Sequence, residues 1–150
     1  MTTPDSDIPL GERWPSLLLR RTSRLVEKRM QLRFSMDQSF EEWMALKLIA
    51  DEVVEYAGDL AREFNIGTGA TTGLIDGLEK KELVERDRSG KDRRLVRLKL
   101  TRKGREHYRK MAPEMANCWK GWLKDFSNEE VGQLITLLTK LQTALEHDES

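Results

Sequence analysis

Apolar residues recur at three- and four-residue spacing through residues 14–36. Leu18, Leu25, Leu32 and Met36 follow the period, with Thr22 and Arg29 at the positions between, and Leu19, Val26 and Met30 widen the stripe. This spacing predicts an amphipathic helix. Ser39-Phe40-Glu41-Glu42 reads as a capping box, in which the serine hydroxyl accepts an orphan amide and the glutamate reaches back. It opens a second helix through Trp43, Leu46, Leu48 and Ile49 to about Asp51. A third spans residues 55–64 with Leu60, Ala61 and Phe64. Asn65-Ile66-Gly67 is a turn, because Asn and Gly tolerate positive φ. A fourth helix covers residues 68–81.

The period then changes to two. Leu83-Val84-Glu85-Arg86 predicts one short strand, and Val96, Leu98 and Leu100, alternating with Arg97 and Lys99, predict a second. The polar loop between them, with Gly90 as its turn residue, makes the pair a hairpin with a charged tip. Thr101 can cap a long helix carrying Tyr108, Met111, Met115, Cys118, Trp119, Trp122 and Phe126. A second capping box, Ser127 to Glu130, opens a last helix with Val131, Leu134, Ile135, Leu138, Leu141 and Leu145. The order is four helices, a hairpin, two helices, without an internal repeat.

Composition narrows the class. At 150 residues, with 35% charged residues, the chain is expected to form one soluble domain with one real core. No apolar run approaches the roughly 18–20 residues needed to cross a membrane. Residues 1–13 lack the apolar segment of a secretory signal and read as a mobile arm. The single cysteine, Cys118, excludes an intramolecular disulfide and a Cys-based zinc site and suits a reducing cytoplasm. The two histidines, His107 and His147, suggest no local metal pair. No phosphate loop, no Ser/His/Asp order around a glycine elbow and no metal-ligand spacing is present. Neither an enzyme nor a cofactor or metal is therefore expected.

The formal net charge is zero, but it is segregated. Between positions 86 and 110 stand twelve basic residues against three acidic ones, a segment charge of +9, and residues 37–63 are acidic in compensation. Such a chain can present a basic face while neutral overall. Two short helices, a tight turn and a basic hairpin are the parts of a winged helix-turn-helix. One helix fits the DNA major groove, a second braces it, and the hairpin can reach the adjacent minor groove.

Here the sequence resembles the MarR family of transcriptional regulators. Ala57-Gly-Asp-Leu-Ala-Arg-Glu-Phe-Asn-Ile66 is similar to the family's first helix-turn-helix element. Thr68-Gly-Ala-Thr-Thr72, Leu74-Ile-Asp76 and Leu78-Glu-Lys-Lys81 are similar to its recognition helix. Leu83-Val-Glu-Arg86, Asp92-Arg-Arg94, Leu98-Lys-Leu-Thr101 and Gly104 are similar to its wing and the start of its fifth helix. The likeness is strongest over residues 57–104 and holds in helix order over 14–146. It implies a mainly α fold with a small β-hairpin wing. A winged helix-turn-helix lobe (37–100) would be flanked by N- and C-terminal dimerisation helices (14–36 and 101–147). It also implies a cytoplasmic homodimeric repressor on a pseudo-palindromic duplex operator. The recognition helix would contact DNA through Thr68, Gly69, Ala70, Thr71, Thr72, Gly73, Asp76 and Lys80. The wing would use Arg88, Lys91, Asp92, Arg93 and Arg94, with Asp92 orienting Arg94 into the minor groove; a turn-stabilising ion pair is the alternative reading of those two. A small aromatic ligand that relieves repression would be lined by Arg21, Trp43, Lys47, His107 and Met111, residues that core packing and solvation also explain.

The chain departs from the family pattern. Gly73 and Gly77 stand where long polar residues are common, and Glu82 stands at the usual glycine of the helix end. At about 100° per residue, Thr71, Leu74, Ile75 and Leu78 fall on the core side, and Gly69, Gly73, Asp76 and Lys80 fall opposite. The outward stripe is nearly bare backbone with an acid in it. Two readings stay open: close approach of backbone to DNA, or weakened DNA binding in a winged-helix dimer that has become a ligand- or protein-interaction module. Cys118, on an apolar stripe, reads as a core residue rather than a redox sensor.

Overall fold

The computed structural model describes residues 14–34, 38–88, 90 and 95–148. The expected N-terminal arm (1–13) and the wing-tip residues 91–94 lie outside the described residues. The order is α1 (Pro15–Gln31), α2 (Phe40–Ala50), α3 (Ala57–Phe64), α4 (Thr68–Lys80), β1 (Val84–Asp87), β2 (Arg97–Leu100), α5 (Arg102–Trp122) and α6 (Asn128–Asp148). This is the mainly α, hairpin-bearing fold that periodicity predicts.

Residues up to 110 form one compact unit and those from 111 onward a second. The first is built on Ala45, Leu46 and Ile49 of α2, Leu60 of α3, Ile75 and Leu78 of α4, and the inward residues of the hairpin, Val84, Leu98 and Leu100. The strands pair antiparallel with Val84 opposite Leu100 and Arg86 opposite Leu98. A one-residue slip would turn Leu98 and Leu100 out to water, so this core fixes the register.

Three boundaries move for identifiable reasons. The first helix stops at Gln31, not Met36: the Arg33 amide bonds back three residues to the Met30 carbonyl at 2.8 Å. The Phe34 ring then joins Phe40 and Trp43 at centroid separations of 6.1 and 6.4 Å. Gln31 Oε1 accepts from the Phe40 amide at 2.9 Å, tying α1 to the start of α2. The third helix starts at Ala57, not Glu55. Glu55 and Ala57 instead bond β2 and the residue before it, with Leu98 N to Glu55 O at 2.8 Å and Ala57 N to Val96 O at 3.0 Å. Asp59 Oδ2 then accepts from the Tyr56 amide at 2.8 Å and starts the helix. The fifth helix ends at Trp122, short of Phe126, in a turn closed by the Phe126 amide on Leu123 O at 3.0 Å.

Both capping boxes form: Ser39 with Glu42 and Ser127 with Glu130. Thr101 caps α5, its Oγ1 accepting from the Gly104 amide at 2.9 Å. In the second unit Trp119 and Trp122 meet edge to face at 5.3 Å. No residue of α6 is buried, and its Ile135, Leu137 and Leu145 are 60%, 65% and 59% exposed. In the first unit Leu18, Leu19 and Leu25 of α1, and Leu32 just beyond it, are exposed as well.

Candidate nucleic-acid interface

Helices α3 and α4 are joined by a turn that backbone chemistry specifies. Asn65 ends α3 in the left-handed region at φ 49°, ψ 46°, a conformation Asn tolerates better than most residues. Gly67 is the N-cap of α4 and supplies no capping side chain, and α4 has no acid in its first turn. The positive end of the helix dipole and its free amides are therefore left open to an anion.

Thr71, Ile75 and Leu78 of α4 are buried, whereas Thr68, Gly69, Ala70, Thr72, Gly73, Asp76 and Lys80 are exposed. The fold thus turns seven of the eight expected contact residues outward, among them the four that the helical wheel put there. Thr71 is the correction: it is 4% exposed and its hydroxyl donates to Gly67 O at 3.0 Å, so it faces inward and bonds its own helix.

The three α4 glycines are not equivalent. A Cβ on Gly69 or Gly73 would meet no atom within 4 Å, whereas one on Gly77 would stand 3.3 Å from Glu42 Oε1. Glu42 is held there by Lys81, whose ammonium donates to both carboxylate oxygens at 2.8 and 2.6 Å. Gly77 thus makes room for a link between α2 and the end of α4. Gly69 and Gly73 have no internal packing role.

Asp76 is not a bare acid. Arg86, on β1, places Nη1 2.7 Å from Asp76 Oδ1 and also pairs with Glu79, and its amide donates to Glu79 Oε1 at 3.1 Å. Arg86 therefore fastens the root of the hairpin to α4 and offsets one of the two carboxylates. Sequence reasoning placed it in the first strand of the wing and in the basic run, without a partner on α4. The available signal was its position: the hairpin returns alongside the helix that carries two acids three residues apart.

Much of the +9 segment is likewise engaged. Besides Arg86, Arg97 pairs with Glu55 at 2.7 Å, Lys99 with Asp87 at 2.6 Å, Arg102 with Glu106 at 3.3 Å and Lys103 with Glu82 at 2.9 Å. Arg88 is exposed beyond β1. Lys91, Asp92, Arg93 and Arg94 lie outside the described residues. Between α3, α4 and the hairpin root runs an open groove of about 360 Å³, lined by Ala57, Ala61, Thr68, Thr72, Arg86 and Arg88 among others.

The five residues expected around a small ligand are not gathered into a described groove. Arg21 is exposed. Trp43 is buried and stacks on Phe40 at 6.1 Å. Lys47 pairs with Asp51, and that hydrogen bond holds its pKa above the ordinary lysine value. His107 Nε2 meets Gln38 Oε1 at 2.8 Å. Burial, then the nearby Lys110 and Lys81 charges, push its pKa below the ordinary 6.5. Met111 belongs to the second unit. A groove of about 790 Å³ lies instead where α2 ends beside β2 and the start of α5; Arg97, Lys99, Arg105, Tyr108 and Arg109 are among its lining residues. Cys118, in the second unit, is half-buried.

A sequence profile of the MarR family matches residues 39–96. The chain is 31% identical over 137 residues to the transcriptional repressor MprA of Escherichia coli strain K12, covering 89% of this chain and 77% of that one. Among solved structures it is similar to the transcriptional regulator BldR of Sulfolobus solfataricus, with a TM-score of 0.71 and 28% identity over 86% of this chain and 95% of that one. A Staphylococcus aureus MepR–DNA complex shares the fold at a TM-score of 0.71 and 22% identity, covering 87% and 96% of the two chains. Among the described residues no helix is long and apolar enough to cross a membrane.

Proposed function

This chain belongs to the MarR family of transcriptional regulators, and from that premise we propose that it is a cytoplasmic homodimeric repressor that binds duplex DNA through α4 and the hairpin. The observation that carries this reading is the exposed α4 face, Thr68 to Lys80, fastened by Arg86 to the root of the wing. A major groove accepts one such helix, and an uncapped N-terminus suits a phosphate at its end. Asp92 and Arg94 at the wing tip would supply the minor-groove contact. The leucines that α1 and α6 leave in water support a second copy as their cover. Two copies would set recognition helices about one DNA turn apart, roughly 34–36 Å, and so read a pseudo-palindrome. Relief of repression by a small aromatic acid belongs to the same reading. The groove beside α5, where Tyr108 lies among arginines, offers such a ligand a ring and cations.

Titration of the protein onto its own upstream DNA at two salt concentrations tests the proposal. Affinity falls steeply with salt as counterions are released, and Arg94→Ala weakens binding by about 1–3 kcal/mol. A flat salt response with an unaffected variant rejects the wing contact. Absence of binding to any duplex at low salt turns the reading to the interaction-module alternative.

A further inference from the structure

The outward face of α4 has an unusual inventory for a helix that reads bases. Its exposed residues are Thr68, Gly69, Ala70, Thr72, Gly73, Asp76 and Lys80. Apart from Lys80, the last residue of the helix, it presents none of the arginine, lysine, asparagine or glutamine side chains that bind guanine or adenine edges in bidentate fashion. Asp76 could accept from cytosine, but its carboxylate is engaged by Arg86 at 2.7 Å. What remains to touch base edges in the first half of the helix is the methyl and hydroxyl of Thr68 and Thr72 and the methyl of Ala70. At 100° per residue the line Gly69–Gly73 runs down the centre of the face. Thr68 and Thr72 stand on one flank and Ala70 on the other.

Short side chains reach a groove floor only if the helix sinks far into the groove. The two central glycines permit that approach, since a side chain at either position would stand out into open space and hold the backbone away. The glycine line and the flanking methyls are thus one device. We infer that α4 selects A·T pairs in its half-site by packing the Thr72, Thr68 and Ala70 methyls against thymine 5-methyl groups in the major groove. This rests on the DNA-binding reading above and names the sequence class that this face accepts. Thymine is the base whose major-groove edge carries a methyl, and alanine and threonine methyls are its apolar partners. The remaining specificity then falls to the shape and stiffness of the duplex.

The test begins with selection of sites by the full-length protein from a random duplex library. Uracil is then placed for thymine at each position of the selected half-site. Uracil keeps Watson–Crick pairing and every hydrogen-bonding group and removes only the methyl. Loss of one buried methyl contact weakens binding about fourfold, so the expected result is about a fourfold loss at each of one to three positions per half-site. Thr72→Ser, which keeps the hydroxyl on an exposed position and removes the methyl, flattens the uracil effect at one of those positions. Selected sites that bind tightly yet tolerate uracil everywhere overturn the inference and leave the DNA-binding reading intact. Failure to enrich or bind any duplex at low salt overturns that reading, and the inference with it.

Discussion

An alanine scan of three glycines tests the packing description with magnitudes read directly from the fold. A Cβ at Gly73 would meet nothing within 4 Å, one at Gly77 would stand 3.3 Å from Glu42 Oε1, and one at Gly104 would fall on the Leu83 carbonyl, 2.9 Å from its carbon. Gly73→Ala therefore gains helix propensity without opposition, about 0.8–1 kcal/mol. At Gly77 the same gain is set against displacement of a carboxylate already held by Lys81 and the Ser39 amide, so Gly77→Ala falls close to wild type. Gly104 differs in kind, because its neighbour is backbone. Leu83 O is fixed by the Thr101 amide at 3.1 Å, and the Thr101 hydroxyl donates to Glu82 O at 2.6 Å. No side chain can swing aside there, and the start of α5 must lift off the end of α4. Overpacking of that kind costs about 1–3 kcal/mol or more. Urea denaturation at one protein concentration, followed by far-UV circular dichroism, should rank the midpoints Gly73→Ala, wild type with Gly77→Ala, then Gly104→Ala. A Gly104→Ala protein as stable as wild type would refute the close approach of α5 to Leu83. A destabilised Gly73→Ala would refute the open outward face.

Arg86→Met keeps the hydrophobic stem and removes the charge, leaving Asp76 and Glu79 without their shared partner. Because Asp76 is largely exposed, the stability loss is modest, about 1–2 kcal/mol in a thermal melt. DNA affinity at low salt drops about three- to tenfold by anisotropy, since the α4 surface becomes one unit more negative; unchanged affinity would place Asp76 away from the duplex. His107 has a folded pKa below its unfolded 6.5, so the unfolded chain binds the proton first. Its contribution is complete above pH 6.5 and is lost as pH falls from there toward the lowered folded value. Denaturation midpoints from pH 7.5 to 5 should therefore fall less for His107→Gln than for wild type, and parallel curves would reject this cause. Light scattering at micromolar concentration should report twice 17.4 kDa, and Leu137→Glu with Leu141→Glu should halve it; a wild-type monomer would leave the exposed α6 leucines without a second copy to cover them.

The elements were legible in the sequence because they rest on periodicity and local chemistry. Ser39 and Ser127 announce their helices by a hydroxyl and a glutamate three residues apart, and the Leu98–Leu100 alternation can serve only one face of a strand. The sidedness of α4 was legible for the same reason. The bonding of Glu55 and Ala57 to β2 was not. Tyr56 faces Arg97 across forty-one positions, and helix-like spacing from Glu55 onward carries no trace of a partner that distant. Glu82 shows the same limit from the other side. Its place at a helix end predicts the left-handed conformation that it adopts, at φ 61°, yet a glutamate there contradicts the residue preference. The tertiary contacts resolve the conflict: the Glu82 carbonyl accepts from Thr101 Oγ1 at 2.6 Å and its carboxylate accepts from Lys103 at 2.9 Å.

Charge was the least legible quantity. A run of twelve basic residues invites a count, but the field depends on which of them are already spoken for. Arg86 shows the consequence most clearly. As a member of the run it adds to attraction for DNA in general. As the residue that fastens β1 to α4 and occupies Asp76, it acts on a helix whose outward side chains are otherwise short and uncharged except for Lys80. With long-range attraction assigned to the wing and local repulsion from α4 partly offset, that helix can approach the groove on shape and methyl contacts. The glycines that look like a loss of readout residues on a helical wheel then become the condition for that approach.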